Sequence, residues 1–213
     1  KFSLDINDGI LNLPDFEATY KDVLLKVKTI LNMTKDSNVA VEIELPEAKV
    51  SDFSFGGKTY SLKEGKFSSK ISLSSKANSE ESFINNLKGV VDFKASDAKL
   101  FGININGIYS DVVKRTKPDG LVEFANSQIA SGATVFKNIV GKMDIDSGDF
   151  KISEGVLDAE NTKVMVSGSG SIKNWTMDVL FDVKHNEPKN LQNYSIVMKN
   201  SMENPDVEAD VSK

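Results

Sequence analysis

The feature that most constrains this chain is a run between positions 133 and 184, where nearly every apolar side chain lies two positions from the next. Side chains on a β-strand point to opposite faces in turn. The period therefore predicts strands with one apolar face and one wet face, joined by turns such as Ser147-Gly148. The clearest run carries its apolar residues at Trp175, Met177, Val179, Phe181 and Val183.

Runs of the same kind cover most of the remaining chain, and Asn7-Asp8-Gly9 is a hairpin turn signal between two of them. Pro14 and Pro46 are expected to end their strands, because proline cannot donate a hydrogen bond to a sheet ladder. The tally is about 14 short strands, which predicts a mostly β fold with antiparallel pairing.

Three segments replace this alternation with helical spacing. Ser79 is a candidate N-cap for the first helix, which is expected to close at Lys88-Gly89. The apolar faces predicted for the second and third helices are Ile105, Ile108, Tyr109, Val112 and Val113, and Leu121, Phe124, Ala125 and Ile129. We therefore expect a curved antiparallel sheet of many hairpins that forms a groove, with two or three short helices packed on it.

Composition narrows the class of function. The 213 residues carry a net charge of −5 with both signs well mixed, which argues against nucleic-acid binding. The chain has no cysteine, so disulfides and thiolate chemistry are excluded. No apolar run approaches the ~18 residues of a membrane helix. The sequence begins at Lys1 with neither an initiator methionine nor a signal peptide, and we interpret it as a piece of a longer protein.

Candidate catalytic and metal-binding motifs are incomplete. Phe55–Thr59 is similar to the end of a phosphate-binding loop, but Asp52 stands where that loop needs glycine. Asp144, Asp146 and Asp149 do not follow the order of a calcium loop, which would need glycine at 149. The single histidine, His185, lies at a strand end and has no evident triad partner. We therefore expect no enzyme, no metal and no cofactor. A hydrolase that depends on His185 is the least favoured reading.

Six short motifs resemble, in the same order, the C-terminal region of the AsmA family of Gram-negative envelope proteins. They are Leu87–Phe93, Phe101–Ile105, Thr134–Phe136, Gly155–Leu157, Val166–Ile172 and Asn204–Val207. Asn104 stands where the family usually has aspartate. The resemblance divides a single elongated β unit over 1–213 into a β-repeat region at 1–77 and an AsmA-like module with short helices at 78–213.

The resemblance implies a protein that is anchored in the inner membrane by a segment outside this chain and that projects into the periplasm. It also implies a part in outer-membrane biogenesis. The family is similar to bridge-like lipid-transfer proteins, in which repeated strands form a long apolar groove. Phospholipid acyl chains would be the partner of such a groove.

The alternation gives this reading a physical basis, because a sheet with one apolar face must cover that face, and three short helices are too few. The residues predicted to line the groove, some of them as ordinary core, are Val39, Val41, Ile43, Phe67, Ile71, Met143, Ile145, Phe150, Ile152, Trp175, Met177, Val179 and Phe181. The alternative is a structural or interaction β-module of the cell envelope, whose edges recruit protein partners without carrying lipid.

Overall fold

The structure is a computed structural model, which describes residues 3–21, 23–34, 37–53, 55–56, 60–76, 78–114, 127–186 and 193–210. Within these ranges it contains thirteen strands and two α-helices. The strands are β1 (Asp5–Asn7), β2 (Ile10–Tyr20), β3 (Val23–Asn32), β4 (Asn38–Lys49), β5 (Phe55–Gly56), β6 (Ser61–Lys76), β7 (Lys88–Ile103), β8 (Ile129–Asp146), β9 (Asp149–Ala159), β10 (Thr162–Ser171), β11 (Thr176–His185), β12 (Tyr194–Ser201) and β13 (Asp206–Asp210). The helices are α1 (Glu80–Asn85) and α2 (Ile105–Lys114), and a single 3-10 turn spans Val50–Asp52.

All thirteen strands belong to one antiparallel sheet, in which neighbours in space are neighbours in sequence. The exception is the short β5, which adds to β6 beside the main path. The sheet does not close on itself, so β1 and β13 are its two edges. The accessible surface of the chain is 12,400 Å². This is larger than the surface of about 9,700 Å² that is typical of a compact monomer of the same mass. The predicted mostly β, antiparallel fold is confirmed.

Strands β2 and β4 are longer than predicted, because each of them continues through a proline. β2 continues through Pro14 and β4 continues through Pro46. Pairing shifts register between Leu13 and Phe16 and again between Leu45 and Ala48. A bulge leaves one residue out of the ladder, so each proline occupies a position where no donor is needed. The prediction that prolines end these strands is therefore wrong.

The helices agree in part with the prediction. Ser79 caps α1, since its hydroxyl accepts a hydrogen bond from the Ser82 amide at 3.0 Å. The helix ends at Asn85, and the predicted closing pair Lys88-Gly89 instead opens β7. The second predicted helix is α2. Of the third, residues 121–126 lie outside the described residues, and Ile129 begins β8.

Register places one apolar residue after another on the same face of the sheet. Residues directly opposite each other in antiparallel strands share a face. We call the following set of directly paired residues, one from each strand from β2 to β13 except β5, the central row. It comprises Phe16, Val27, Ile43, Ile71, Val91, Met143, Ile152, Gly168, Val179, Met198 and Val207. Strands are about 4.8 Å apart, so this row runs for roughly 48 Å across the sheet.

Candidate functional site: the apolar face of the sheet

The central row lies in the middle of an apolar face that the chain covers unevenly. From Val27 to Ile152 its side chains are half-buried, and towards the C-terminal strands Val179 and Met198 become buried. Within the described residues no second sheet packs on this face, because all thirteen strands belong to the single sheet. Among the described residues, the cover of this face includes three short pieces of chain near the ends of the strands.

The cover at one end is α1 and the residues that follow it. Leu87 is buried with Ile145 and Phe150, and Phe83 packs against the same cluster. The hydroxyl of the buried Ser75 donates to the carbonyl of Phe83 and so ties the helix to β6.

The cover at the other end has two parts. The 3-10 turn buries Val50 together with Phe67, and Phe53 meets the Phe67 ring edge-on at a centroid distance of 5.1 Å. Helix α2 buries Ile105 and Ile108 in a separate cluster with strands β8, β10, β11 and β12. The apolar face therefore has three hydrophobic clusters, two at one end of the strands and one at the other.

Gly141 lies between these clusters, at a position on the apolar face where no side chain fills the space above the sheet. It is paired with Phe93 on β7 and with Gly155 on β9, beside Met143 of the central row. A Cβ atom built on Gly141 would have no other atom within 4 Å, apart from its chain neighbours. By contrast, a Cβ atom built on the paired residue Gly155 would lie only 2.6 Å from the carbonyl oxygen of Val166. Open space thus lies over β8 in the middle of the apolar face.

The start of α2 is fixed by a polar network that joins two of the six short motifs, Phe101–Ile105 and Thr134–Phe136. Asn104 caps the helix, because its side-chain oxygen accepts from the Gly107 amide at 2.9 Å. Thr134 is fully buried; its hydroxyl accepts from the Ile105 amide at 2.9 Å and donates to the Ile103 carbonyl at 2.7 Å. Aspartate would cap as well as asparagine does, which gives a physical reason for either residue at position 104.

A second polar cluster lies under α2, around the single histidine. The His185 ring stands between Tyr109 of α2 and Tyr194 of β12, at centroid distances of 5.1 and 5.6 Å. Its Nδ1 atom is 3.4 Å from the hydroxyl of Thr162, while Nε2 is buried without a hydrogen-bond partner. Burial lowers the pKa of His185 and raises that of the Tyr194 hydroxyl, which is also buried and unpartnered. A histidine that acts as a catalytic base needs a ring nitrogen within reach of the substrate. The Nε2 atom of His185 is buried instead.

The opposite face carries charge of strictly alternating sign. Directly paired residues run across seven strands as Glu17, Lys26, Glu44, Lys70, Asp92, Lys142 and Glu154, and we call this set the charge row. Lys70 lies 3.5 Å from Glu44, and the neighbouring Lys28 lies 4.0 Å from Glu42. A depression over strands β2 to β7 is lined by five charge-row residues and also by four central-row residues, Phe16, Val27, Ile43 and Ile71. The groove predicted for the apolar face is not shown by the structure.

Asp144 and Asp146, whose spacing does not follow a calcium loop, lie exposed near the end of β8 on the charged side. Asp146 pairs with Lys88 at 3.0 Å, and the hydrogen bond and charge of that lysine lower the pKa of the carboxyl. No group of three potential metal ligands occurs in the part of the chain that the structure describes.

Twelve of the thirteen predicted groove residues lie on the apolar face, from Val39 on β4 to Phe181 on β11. The exception is Trp175, which alternation assigned to β11. It stands in the turn before that strand, with φ of 54° and 55% of its surface exposed. The prediction missed Val27, Val91 and Met198 of the central row, although all three belong to alternating runs that could have identified them.

The prediction also missed Phe136, because the two-residue alternation is interrupted near this residue. It is fully buried three positions from Ile139 on the same strand, because the pairing of β8 with β9 shifts register between Phe136 and Asn138. The partner strand β7 is irregular nearby, with Asp97 at φ of 49°. A bulge moves the following side chain to the other face.

A scan against protein-family models, a search of curated proteins and a search of solved structures each gave no match. Among the described residues, no helix is both long enough and apolar enough to span a membrane. The fold and the site thus define a class, an open antiparallel β-meander with one largely apolar and one charged face.

Proposed function

We propose that the apolar face binds the acyl chains of phospholipids and lets them move along the central row. The supporting observation is that row, which presents apolar side chains or glycine across eleven strands and which the described residues leave half-buried from Val27 to Ile152. An apolar band of this length is unfavourable in water, and burying each acyl methylene on it would contribute about 0.8 kcal/mol. The activity is passive and requires no catalytic residue.

The charged face supports a defined orientation for this activity. On the charged face, Lys70 and Glu44 of the charge row and the neighbouring Lys28 and Glu42 form ion pairs in water, so that side of the sheet needs no partner. A lipid would therefore lie on the other side, with its headgroup near the open margin of the sheet. Curling of the sheet around the acyl chains would give the groove that the sequence predicts.

The cellular setting of the proposal comes from the AsmA-like motifs. Two of them, Phe101–Ile105 and Thr134–Phe136, meet at the start of α2 through the hydrogen bonds of Thr134. The proposal is that the chain is the periplasmic module of an inner-membrane-anchored, AsmA-like protein. Its role would be phospholipid transport in outer-membrane biogenesis.

Native mass spectrometry of the purified chain, after incubation with vesicles of phosphatidylethanolamine and phosphatidylglycerol, tests the binding step. We expect lipid adducts whose amount falls strongly in Met143→Asp, which places a charge on the central row. Lys142→Asp is the matched control, because residue 142 lies on the charge row of the same strand. Adducts that are absent, or that fall equally in both variants of correctly folded protein, would contradict the proposal.

The alternative, an interaction module without lipid, is favoured by one observation at the β1 edge. Ile6 of β1 is 62% exposed, and Leu4, Ile10 and Ile30 nearby are also largely exposed. An open, apolar edge strand is a template for adding another strand. Stable capture of one envelope protein through residues 4–10, together with no lipid transfer between vesicles, would favour this alternative.

A further inference from the structure

Gly141 is a glycine that the packing of the described residues does not require. A glycine inside a strand weakens that strand, and it commonly marks a positive φ, a bulge, or the close approach of another backbone or of a ligand. The φ of Gly141 is not positive, and the residue that the neighbouring register shift leaves out of the ladder is Ser153 on β9. Within the described part of the chain, no atom beyond its chain neighbours would lie within 4 Å of a Cβ atom built on Gly141. Of these reasons, the approach of a ligand remains.

Gly155, which is paired with Gly141 on β9, shows the opposite case. A Cβ atom at Gly155 would lie 2.6 Å from the carbonyl oxygen of Val166, so the close approach of β10 requires glycine at this position. A side chain at position 155 would therefore disturb the sheet. A side chain at position 141 would only fill the space above the sheet.

Two pairs of apolar side chains border this space along the strands. Ile139 is paired with Leu157 on one side, and Met143 is paired with Ile152 on the other. All four residues are half-buried. Positions 139 and 143 are four residues apart on an extended strand, so their Cα atoms are separated by roughly 14 Å. We call the space between these two pairs, above the two glycines, the Gly141 gap.

The chemistry of the Gly141 gap fits a hydrocarbon chain. Its borders are aliphatic or thioether side chains, while the charged Lys142 and Glu154 belong to the charge row on the opposite face. The backbone below it is paired on both sides, with Phe93 on β7 and with Gly155 on β9. A hydrocarbon chain in the gap would therefore bury apolar surface without leaving a polar group unpaired. A charged ligand would find no partner among these residues.

We infer that the Gly141 gap holds one phospholipid acyl chain where it crosses the middle of the apolar face, and that the missing side chain of Gly141 admits it. This inference rests on the proposed function and adds a subsite to it. Gly141 is then a residue that determines which ligands bind, because only a chain slim enough to lie against the backbone between the two bordering pairs can occupy the gap.

Native mass spectrometry and urea denaturation of Gly141→Leu together test the subsite. The leucine side chain fills the gap, so adducts formed with vesicles of phosphatidylethanolamine and phosphatidylglycerol should fall by about tenfold, which corresponds to the lost burial of about two methylene groups. The midpoint of urea unfolding should stay equal or rise, because a side chain replaces glycine inside a strand without a clash. Val140→Leu is the matched control. It adds bulk on the other face of the same strand, where Val140 is paired with Lys94, and it should leave the adducts unchanged.

The outcomes separate this inference from the proposed function. An absence of adducts with the wild-type chain would contradict the proposed function and the subsite together. Adducts that form with the wild-type chain and persist in Gly141→Leu would overturn the subsite alone. An equal fall in Val140→Leu, or a lower urea midpoint in Gly141→Leu, would also overturn it, since each would show that the substitution acts through the fold and not through the gap.

Discussion

At the scale of single residues, glycines show where the backbone conformation is decisive. Gly148 has φ of 78° in the β8–β9 turn, and a Cβ atom there would lie 2.5 Å from the carbonyl oxygen of Ile84 in α1. We expect Gly148→Ala to lower the free energy of unfolding by about 1–3 kcal/mol, because strain and a clash coincide. Gly141→Ala should instead be neutral or stabilise by up to about 1 kcal/mol, since its Cβ meets open space. Urea denaturation of both variants checks the pair, and equal losses would contradict the account.

His185 gives a prediction about pH. Burial lowers the pKa of this histidine in the folded chain, where its ring lies beside Tyr109 and Tyr194. The unfolded chain then binds a proton near pH 6.5, at which the folded chain still resists protonation. The free energy of unfolding should therefore be highest above that pH. It should fall as the pH is lowered from about 6.5 towards the pKa of His185 in the folded chain.

The measurement compares the free energy of unfolding of the wild-type chain and of His185→Phe between about pH 7 and pH 5. Carboxylates titrate in both proteins, so the difference between the two slopes isolates the histidine. We expect the wild-type chain to lose stability more steeply. A steeper fall in the variant would show that protonated His185 is stabilised in the fold.

At the scale of elements, the sequence predicts faces better than it predicts boundaries. Alternation placed twelve of the thirteen residues on one shared face of the sheet, because a two-residue period is a direct consequence of strand geometry. It could not show that Pro14 and Pro46 lie at bulges, since a bulge depends on the partner strand. The prediction for Trp175 was wrong for a related reason. The two-residue period of β11 extends back into the preceding turn, where Trp175 lies, so alternation alone could not show that the strand begins after it. The covered and uncovered parts of the apolar face depend on where α1 and α2 pack, and alternation carries no information on that.

The charge row gives a prediction for the pairing of whole strands. Lys70 on β6 stands between Glu44 on β4 and Asp92 on β7. Lys70→Glu would place three like charges side by side and should lower the free energy of unfolding by about 0.2–1 kcal/mol for each repelling pair. Lys76→Glu is the matched control on the same strand, since its paired neighbour Asn38 is neutral. Added salt should reduce the difference between the variants, and a difference that persists at high salt would contradict an electrostatic cause.

At the scale of the whole molecule, two surfaces of opposite character run across one sheet. Adjacent residues of the same strands, such as Ile71 and Lys70, belong to the central row and to the charge row respectively. An open sheet of this kind exposes on one side the surface that a sandwich would bury between two sheets. Something other than the described residues must therefore cover the middle of the apolar face.

Photo-crosslinking in living cells tests that requirement most directly. Photoreactive residues at Val41, Ile71 and Ile152 lie on the half-buried part of the apolar face, and the adjacent positions Glu42, Lys70 and Lys151 point to the other side of the same strands. The account predicts covalent phospholipid adducts, identified by mass spectrometry, at Val41 and its two companions, and few at the three adjacent positions. Protein adducts alone on the apolar face, or lipid adducts distributed equally over both faces, would contradict it.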